Sequence, residues 1–481
     1  MRLFPSSFSV ALLQILFIAL LPLGAQARTA ERLPPPVAAA LKQAGIPFSN
    51  VGLFVQAADG KRPLLTYGAD RSFNPASTMK LVTTYASLGL LGPAHTWKTE
   101  VFTDGDIRNG VLYGDLVLKG GGDPSLTLPD FWVLLRELRE RGLRDIKGDL
   151  VLDRRYFANG AIDPGAFDNE PHRAYNVGPD GLLLNFNVVR VRIVPEGNGQ
   201  MLAVTTDPML PGLVLDNHLA ISQGECGDWR EGIKSDVHGG AGVTVLTLSG
   251  SFAAACGEKT VNLNVLGPRD YVFGVFKALW AELGGSFSGR LREGEPSEGR
   301  LPYATYSSPP LADVIRDINK FSNNVMARQV FLTLGAEGSG TGGTVENSAR
   351  AVAEWLHGKN MDFPELVLEN GAGLSRIERI NARHMGELLL DAYHSPVFSE
   401  LESSLPIVAV DGTMKKRLTD DAIAGHAHIK TGYLEGVRAI AGYVFDRKGH
   451  RVVVVCFMNH PNAKAGKPAL DALLDWVYTT Q

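Results

Sequence analysis

The chain has little cysteine, no clustered charge and, past its first residues, no long apolar run. Three cysteines in 481 residues, with no Cys-x-x-Cys and no His-x-x-x-His pair, offer a metal centre no ligand set at a usable spacing. Basic and acidic residues, 47 against 51, leave a net charge of −4. No basic stretch studded with aromatics marks a nucleic-acid path. No internal repeat and no low-complexity linker is present, which excludes a repeat array. At 45% hydrophobic the chain has material for two or three cores.

The apolar stretch from Phe8 to Leu21 contains Gln14 and falls short of the roughly 20 residues a membrane span needs. With Arg2 before it and Ala25-Gln26-Ala27 after it, it reads as a secretory signal over residues 1–27, cleaved after Ala27. No cysteine follows the apolar core to carry a lipid. The mature protein is therefore expected in the periplasm, without a stable membrane span. In that oxidising compartment Cys226 and Cys256 would close a loop of about 30 residues, worth about 3 kcal/mol. Two unpaired thiols are the alternative. Cys456, inside Val452–Phe457, reads as a buried strand residue without chemistry.

What is present concentrates in three short elements: Ser77-Thr78-Met79-Lys80, Ser322-Asn323-Asn324 and Lys430-Thr431-Gly432. Asn74-Pro75 signals a turn and the stretch from Ser77 through Leu91 is apolar at helical spacing, so Ser77 should open a helix. A serine and a lysine at i and i+3 share one helical face, which brings the Lys80 amine to the Ser77 hydroxyl. A serine nucleophile needs a neutral base, and Lys80 serves only if burial and a second positive charge lower its pKa by several units. Lys430 is the candidate second charge. Ser322 fits a proton relay to a leaving amine, and Asn324 can hold both Lys80 and a substrate amide. The segment from His428 to Val444 reads as two strands and a glycine-containing turn, placing Lys430, Thr431 and Gly432 on a strand beside the site. The N–H groups of Ser77 and Tyr433 would then form an oxyanion hole.

In this order the three elements form the signature shared by penicillin-binding proteins and class A β-lactamases. Ser77 and Ser322 stand 245 residues apart, too far for one small helical domain. The chain resembles the class C low-molecular-mass penicillin-binding proteins, the penicillin-binding protein 4 type D-alanyl-D-alanine carboxypeptidases/endopeptidases of serine peptidase family S13. Further stretches carry the likeness: Gly121-Gly122-Asp123-Pro124, Gly148 to Asp153, Leu184-Asn185-Phe186-Asn187, Asn370 to Arg376 and Asp411-Gly412-Thr413. Three positions depart from the family pattern. Asn370 and Ala372 replace Asp and Ser, and Tyr433 replaces the Thr or Ser whose hydroxyl helps hold a terminal carboxylate.

The resemblance implies a serine D-Ala-D-Ala carboxypeptidase with endopeptidase activity, acting on peptidoglycan stem peptides through Ser77 and inhibited by penicillins. It implies no metal and no cofactor. Peptidoglycan peptides and β-lactams are the expected ligands, nucleic acid is not, and a homo-oligomer is left open. Arg376, Asp153 and Phe157 are the positions it suggests for a pocket taking the diamino acid of the stem, with Thr431, Gly432 and Tyr433 along the substrate. A β-lactamase or esterase on the same site, or a decayed peptidoglycan-binding protein, are the competing readings.

The implied fold is α/β (α+β): a discontinuous penicillin-binding-protein/β-lactamase-like domain with an antiparallel sheet and a helical cluster. Residues 28–91 and 303–481 would build it. Residues 92–302, with short strands such as Leu112–Lys119, Val188–Val194 and Val243–Leu248, would form a β-rich insertion of two modules. Gly335 to Gly343 reads as a flexible loop.

Overall fold

The run Val452–Met458 is apolar at every position because its strand, Arg451–Asn459, is covered on both faces. Val453, Val455 and Phe457 enter one core, while Val452, Val454, Cys456 and Met458 enter another. This computed structural model describes residues 32–480 apart from 159, 161, 241 and 341. The expected signal segment lies outside the described residues.

Arg451–Asn459 lies in the middle of a five-stranded antiparallel sheet, in the order Ala427–Leu434, Val437–Phe445, Arg451–Asn459, Val51–Ala57, Leu65–Tyr67. The two ends of the chain meet here, with Val51 opposite Met458 and Ala57 opposite Val452. Helices Pro35–Gln43 and Lys467–Thr480 cover one face through Val37, Leu41, Leu470 and Leu474. The other face packs on Lys80–Leu90, Leu311–Phe321, Asn324–Ser339, Val345–Gly358 and Ala382–Tyr393. This mixed architecture is the expected α+β class.

The helix Asn324–Ser339 runs through Gly335, where the sequence reading placed a flexible loop. The reason is packing. A Cβ on Gly335 would stand 2.5 Å from Ser348 Oγ, so the glycine lets the helix Val345–Gly358 approach closely.

Residues 98–307 form a seven-stranded sheet around the hairpin Lys98–Arg108 and Val111–Gly120, together with two three-stranded sheets built from Val189 to Leu263. The sheet groups share one core, in which Leu118, Leu135, Val191, Leu246 and Phe276 are all buried. Gln329 fastens this region to the helical cluster. Its buried amide donates to the carbonyls of Gly122, Asp123 and Asp180 and accepts from the Asp180 N–H at 2.7 Å.

A disulfide joins Cys226 to Cys256, with Cα atoms 4.6 Å apart, and Cys456 is buried and free. Replacing Cys226 and Cys256 together by alanine is expected to cost about 3 kcal/mol through restored unfolded-state freedom. The melting temperature measures that loss. Penicillin labelling of the folded protein should not change, because the bridge touches nothing in the Ser77 site.

Candidate active site

The turn carrying Ser77 is fixed from both sides. Asn74 is buried, and its Oδ1 accepts from the Ala76 N–H at 2.8 Å while its Nδ2 donates to the Ser375 carbonyl at 2.8 Å. Asn459 brackets Asn74 in turn, accepting from its N–H at 2.8 Å and donating to its carbonyl at 3.0 Å. Ala76 is left-handed at φ +46°. The result is a 3-10 turn over Ala76–Met79, with the α-helix proper starting at Lys80. The expected helix start is therefore displaced by three residues, because the Asn74 side chain and the left-handed Ala76 wind the entry tighter than an α-turn. Two glycines crowd this turn: a Cβ on Gly373 would lie 2.0 Å from the Ala76 carbonyl, and one on Gly432 2.6 Å from that of Pro75. Only a residue without a side chain permits such approach.

Lys80 has no exposed surface. Its Nζ lies 3.0 Å from Ser77 Oγ and donates to Asn324 Oδ1 at 2.6 Å and the Ala372 carbonyl at 2.5 Å. Burial first, and the charge of Lys430 second, hold this amine well below the usual lysine range, while Glu378 pulls the other way. The structure thus puts a hydroxyl against an amine that resists protonation, the pairing a serine nucleophile requires.

The corner between two helices delivers Ser322 and Asn324. Ser322 ends Leu311–Phe321 in the left-handed region at φ +57°, and Asn323 caps the next helix by accepting from the Met326 N–H at 3.2 Å. Lys320 anchors the corner, donating to the Leu405 carbonyl at 2.6 Å and pairing with Asp411 at 2.7 Å. Lys430 projects from the outermost sheet strand, Ala427–Leu434, and donates to Ser322 Oγ at 2.8 Å. Burial lowers its amine to about 7. Ser77, Lys80, Ser322, Asn324 and Lys430 therefore form one connected cluster.

The remaining expected positions divide. Thr431, on the strand of Lys430, donates from Oγ1 to Thr413 Oγ1 at 2.9 Å in the 3-10 turn Gly412–Met414. Tyr433 is 61% exposed, with the Arg438 guanidinium 3.7 Å from its ring centre. Arg376 lines a cavity of about 450 Å³ beside Asn370 and Leu374, lying over the Phe167 ring. Asp153 and Phe157 do not line that cavity. Asp153 is ion-paired to Arg155 at 2.9 Å and faces a different cleft, and Phe157 is packed in the helical core. The cavity takes Asp163 and Phe167 instead, ten residues further along the same loop, together with Arg328. The sequence reading named neither Asp163 nor Phe167. The only signal was a Pro-Gly turn between them, which does not say where a loop points.

An antiparallel sheet with flanking helices and a serine against one buried lysine, with a second buried lysine acting on that amine, defines the class of serine hydrolases with lysine in place of histidine. The profile of the D-Ala-D-Ala carboxypeptidase 3 (S13) family matches residues 34–479, and the chain belongs to that family. It is a serine-type D-Ala-D-Ala carboxypeptidase. It is 26% identical over 415 residues, 85% of either chain, to the D-alanyl-D-alanine carboxypeptidase DacB of Haemophilus influenzae. To the D-alanyl-D-alanine carboxypeptidase of an Actinomadura species it is 28% identical over 390 residues, 78% of this chain and 71% of that one. The crystal structure of penicillin binding protein 4 from Haemophilus influenzae superposes with a TM-score of 0.78, at 23% identity, covering 92% of this chain and 99% of the other. The same protein complexed with a β-lactam superposes at 0.73, with 22% identity over 91% and 98%. Among the described residues no helix is long and apolar enough to cross a membrane.

Proposed function

We propose that this carboxypeptidase works through an acyl-enzyme on Ser77, in the bacterial periplasm, on peptidoglycan stem peptides and their cross-links. One observation carries the reading: the Ser77 hydroxyl lies 3.0 Å from a fully buried lysine amine that burial and Lys430 keep from protonating. Ser77 Oγ bonds to the D-Ala carbonyl carbon as its proton passes to Lys80. The N–H groups of Ser77 and Tyr433 stabilise the oxyanion, a contribution of about 3 to 4 kcal/mol per donor in comparable sites. The C–N bond then breaks as Ser322 passes a proton to the departing amine and takes up the one Lys80 received, and Lys430, 2.8 Å from that hydroxyl, holds the relay in place. Asn324 steadies Lys80 and accepts the substrate amide. Water releases the acyl group and frees Ser77.

The cavity lined by Arg376, Arg328, Asp163 and Phe167 supports a place for the side chain of the stem peptide, its charges matched to a zwitterionic diamino acid. In this reading residues 28–91 and 303–481 form the catalytic body and residues 92–302 an insertion that orients long substrates. Penicillins acylate Ser77 because their strained amide enters as the D-Ala carbonyl does.

A gel of the protein incubated with fluorescent penicillin tests the acyl-enzyme. A stable adduct is expected, absent from Ser77→Ala. Incubation with defined muropeptides, read by mass, should give loss of one D-Ala and cleavage of cross-linked dimers. Labelling that survives Ser77→Ala, or rapid penicillin turnover with no D-Ala release, would overturn the reading.

A further inference from the structure

Glu378 has no exposed surface, yet it plays no part in the steps above. A carboxylate is retained inside a protein only where something satisfies it. Here one oxygen does nearly all the work: Oε1 accepts from the backbone N–H groups of Glu369, Asn370 and Gly371 at 3.1, 2.9 and 2.9 Å. Oε2 has no partner among the described residues. Ser375 Oγ in turn accepts from the N–H groups of Ile377 and Glu378, fixing the approach of the carboxylate.

The loop gathered this way leads directly to Lys80. Thr83, one turn beyond Lys80, donates to the Gly371 carbonyl at 2.6 Å, and the next carbonyl, that of Ala372, accepts from the Lys80 amine at 2.5 Å. Asn370 braces the same turn, accepting from the Ala372 N–H and donating to the Leu374 carbonyl. Four residues of backbone, folded around one buried carboxylate, thus supply one of the two acceptors, the Ala372 carbonyl beside Asn324 Oδ1, that aim the amine at Ser77.

We propose that Glu378 is a positioning residue for Lys80, gathering the loop whose Ala372 carbonyl holds the amine and setting a negative charge against the positive field of Lys430 and Arg328. This rests on Lys80 being the base that takes the Ser77 proton. Three charged groups act on that amine. Lys430 faces it from the outermost strand and Arg328 from the helix Asn324–Ser339, both opposing its protonation, while Glu378 alone favours it. Arg328 is itself partly buried, with its Nε unpartnered and its Nη1 donating to the Val177 carbonyl, and feels Glu378 and Glu369. Burial pushes the Glu378 carboxyl up, opposed by its three N–H donors and by Lys80; in its ionised form it offsets one fully buried cation, Lys430, and one partly buried, Arg328.

The test is the second-order rate of Ser77 acylation by fluorescent penicillin, measured from pH 5 to pH 9 for the unaltered chain, Glu378→Gln and Glu378→Ala. Glutamine keeps an acceptor for the three N–H groups but removes the charge. Lys80 then gives up its proton more readily, so the acid limb moves to lower pH by about one unit, and the plateau falls several-fold as the loop loosens. Alanine leaves three N–H groups without an acceptor, and acylation falls about 100-fold or the chain fails to fold. Glu378→Gln, nearly isosteric, keeps the claim exposed in either case. A limb that stays in place in Glu378→Gln, whatever the plateau does, reduces Glu378 to a structural group and overturns the proposal. Absence of any adduct in the unaltered chain overturns both this and the acyl-enzyme reading, whereas an adduct with an unmoved limb overturns this one alone.

Discussion

Lys80→Ala is expected to slow acylation of Ser77 by penicillin about 10⁴-fold while leaving the melting temperature unchanged or raised. The activity follows from geometry, since no other amine reaches Ser77 Oγ among the described residues. The stability follows from proton linkage. Burial and Lys430 hold the folded amine well below its ordinary value, so between the two values it is neutral when folded and charged when unfolded. Unfolding therefore takes up a proton throughout the range between the depressed value and about 10.4. Stability rises with pH across that window, and the cost of keeping the amine uncharged is largest at its acid end. Alanine removes this cost, offset by the contacts to Asn324 and Ala372 that it gives up. Urea unfolding at pH 6, 8 and 10 measures the slope, which should be shallower in Lys80→Ala. A variant that is both inactive and strongly destabilised, with the slope unchanged, would contradict the account.

Lys430→Ala should lower kcat/KM for D-Ala release by about 10² to 10³ and remove the alkaline limb of its pH profile. In the free protein burial brings the Lys430 amine down to about 7. Below that pH the ammonium grips Ser322, keeps Lys80 unprotonated by repulsion and attracts the substrate carboxylate. Above it all three effects fade. The profile of kcat/KM reports the free enzyme and should turn down near neutrality. The profile of kcat should turn down later, because a bound carboxylate favours the charged amine. A stopped assay of D-Ala across pH 5 to 10 resolves the two. An alkaline limb that persists in Lys430→Ala would assign it to another group.

Much of this site was legible because its chemistry demands residue types at fixed spacings. Ser77 and Lys80 are one turn apart, and the pattern from His428 to Val444 puts Lys430 on a strand, where the structure also has it. The fold came from the family resemblance, and one element was legible by itself: Val452–Phe457 reads as a buried strand, and it is one. Glu378 was not. In Arg376-Ile377-Glu378-Arg379 the hydrophobic pattern turns isoleucine inward, whereas Ile377 is 56% exposed and Glu378 fully buried. Three N–H groups contributed by residues seven to nine positions upstream invert the pattern, and no local rule anticipates them. Asp163 and Phe167 escaped notice because a loop's reach depends on the bodies at its two ends.

The pairing of Val51–Ala57 with Arg451–Asn459 also sets the timing of assembly. Ribosomes make the Ser77 turn early and the strand bearing Lys430 some 350 residues later, and the sheet lacks its central member until residue 459 has emerged. Contacts between such distant segments form slowly, since the whole intervening loop must close first. A nascent chain interrupted before that strand has the serine and the helices that pack beside it but not the sheet they pack on, so hydrolytic competence waits for residues 451–459.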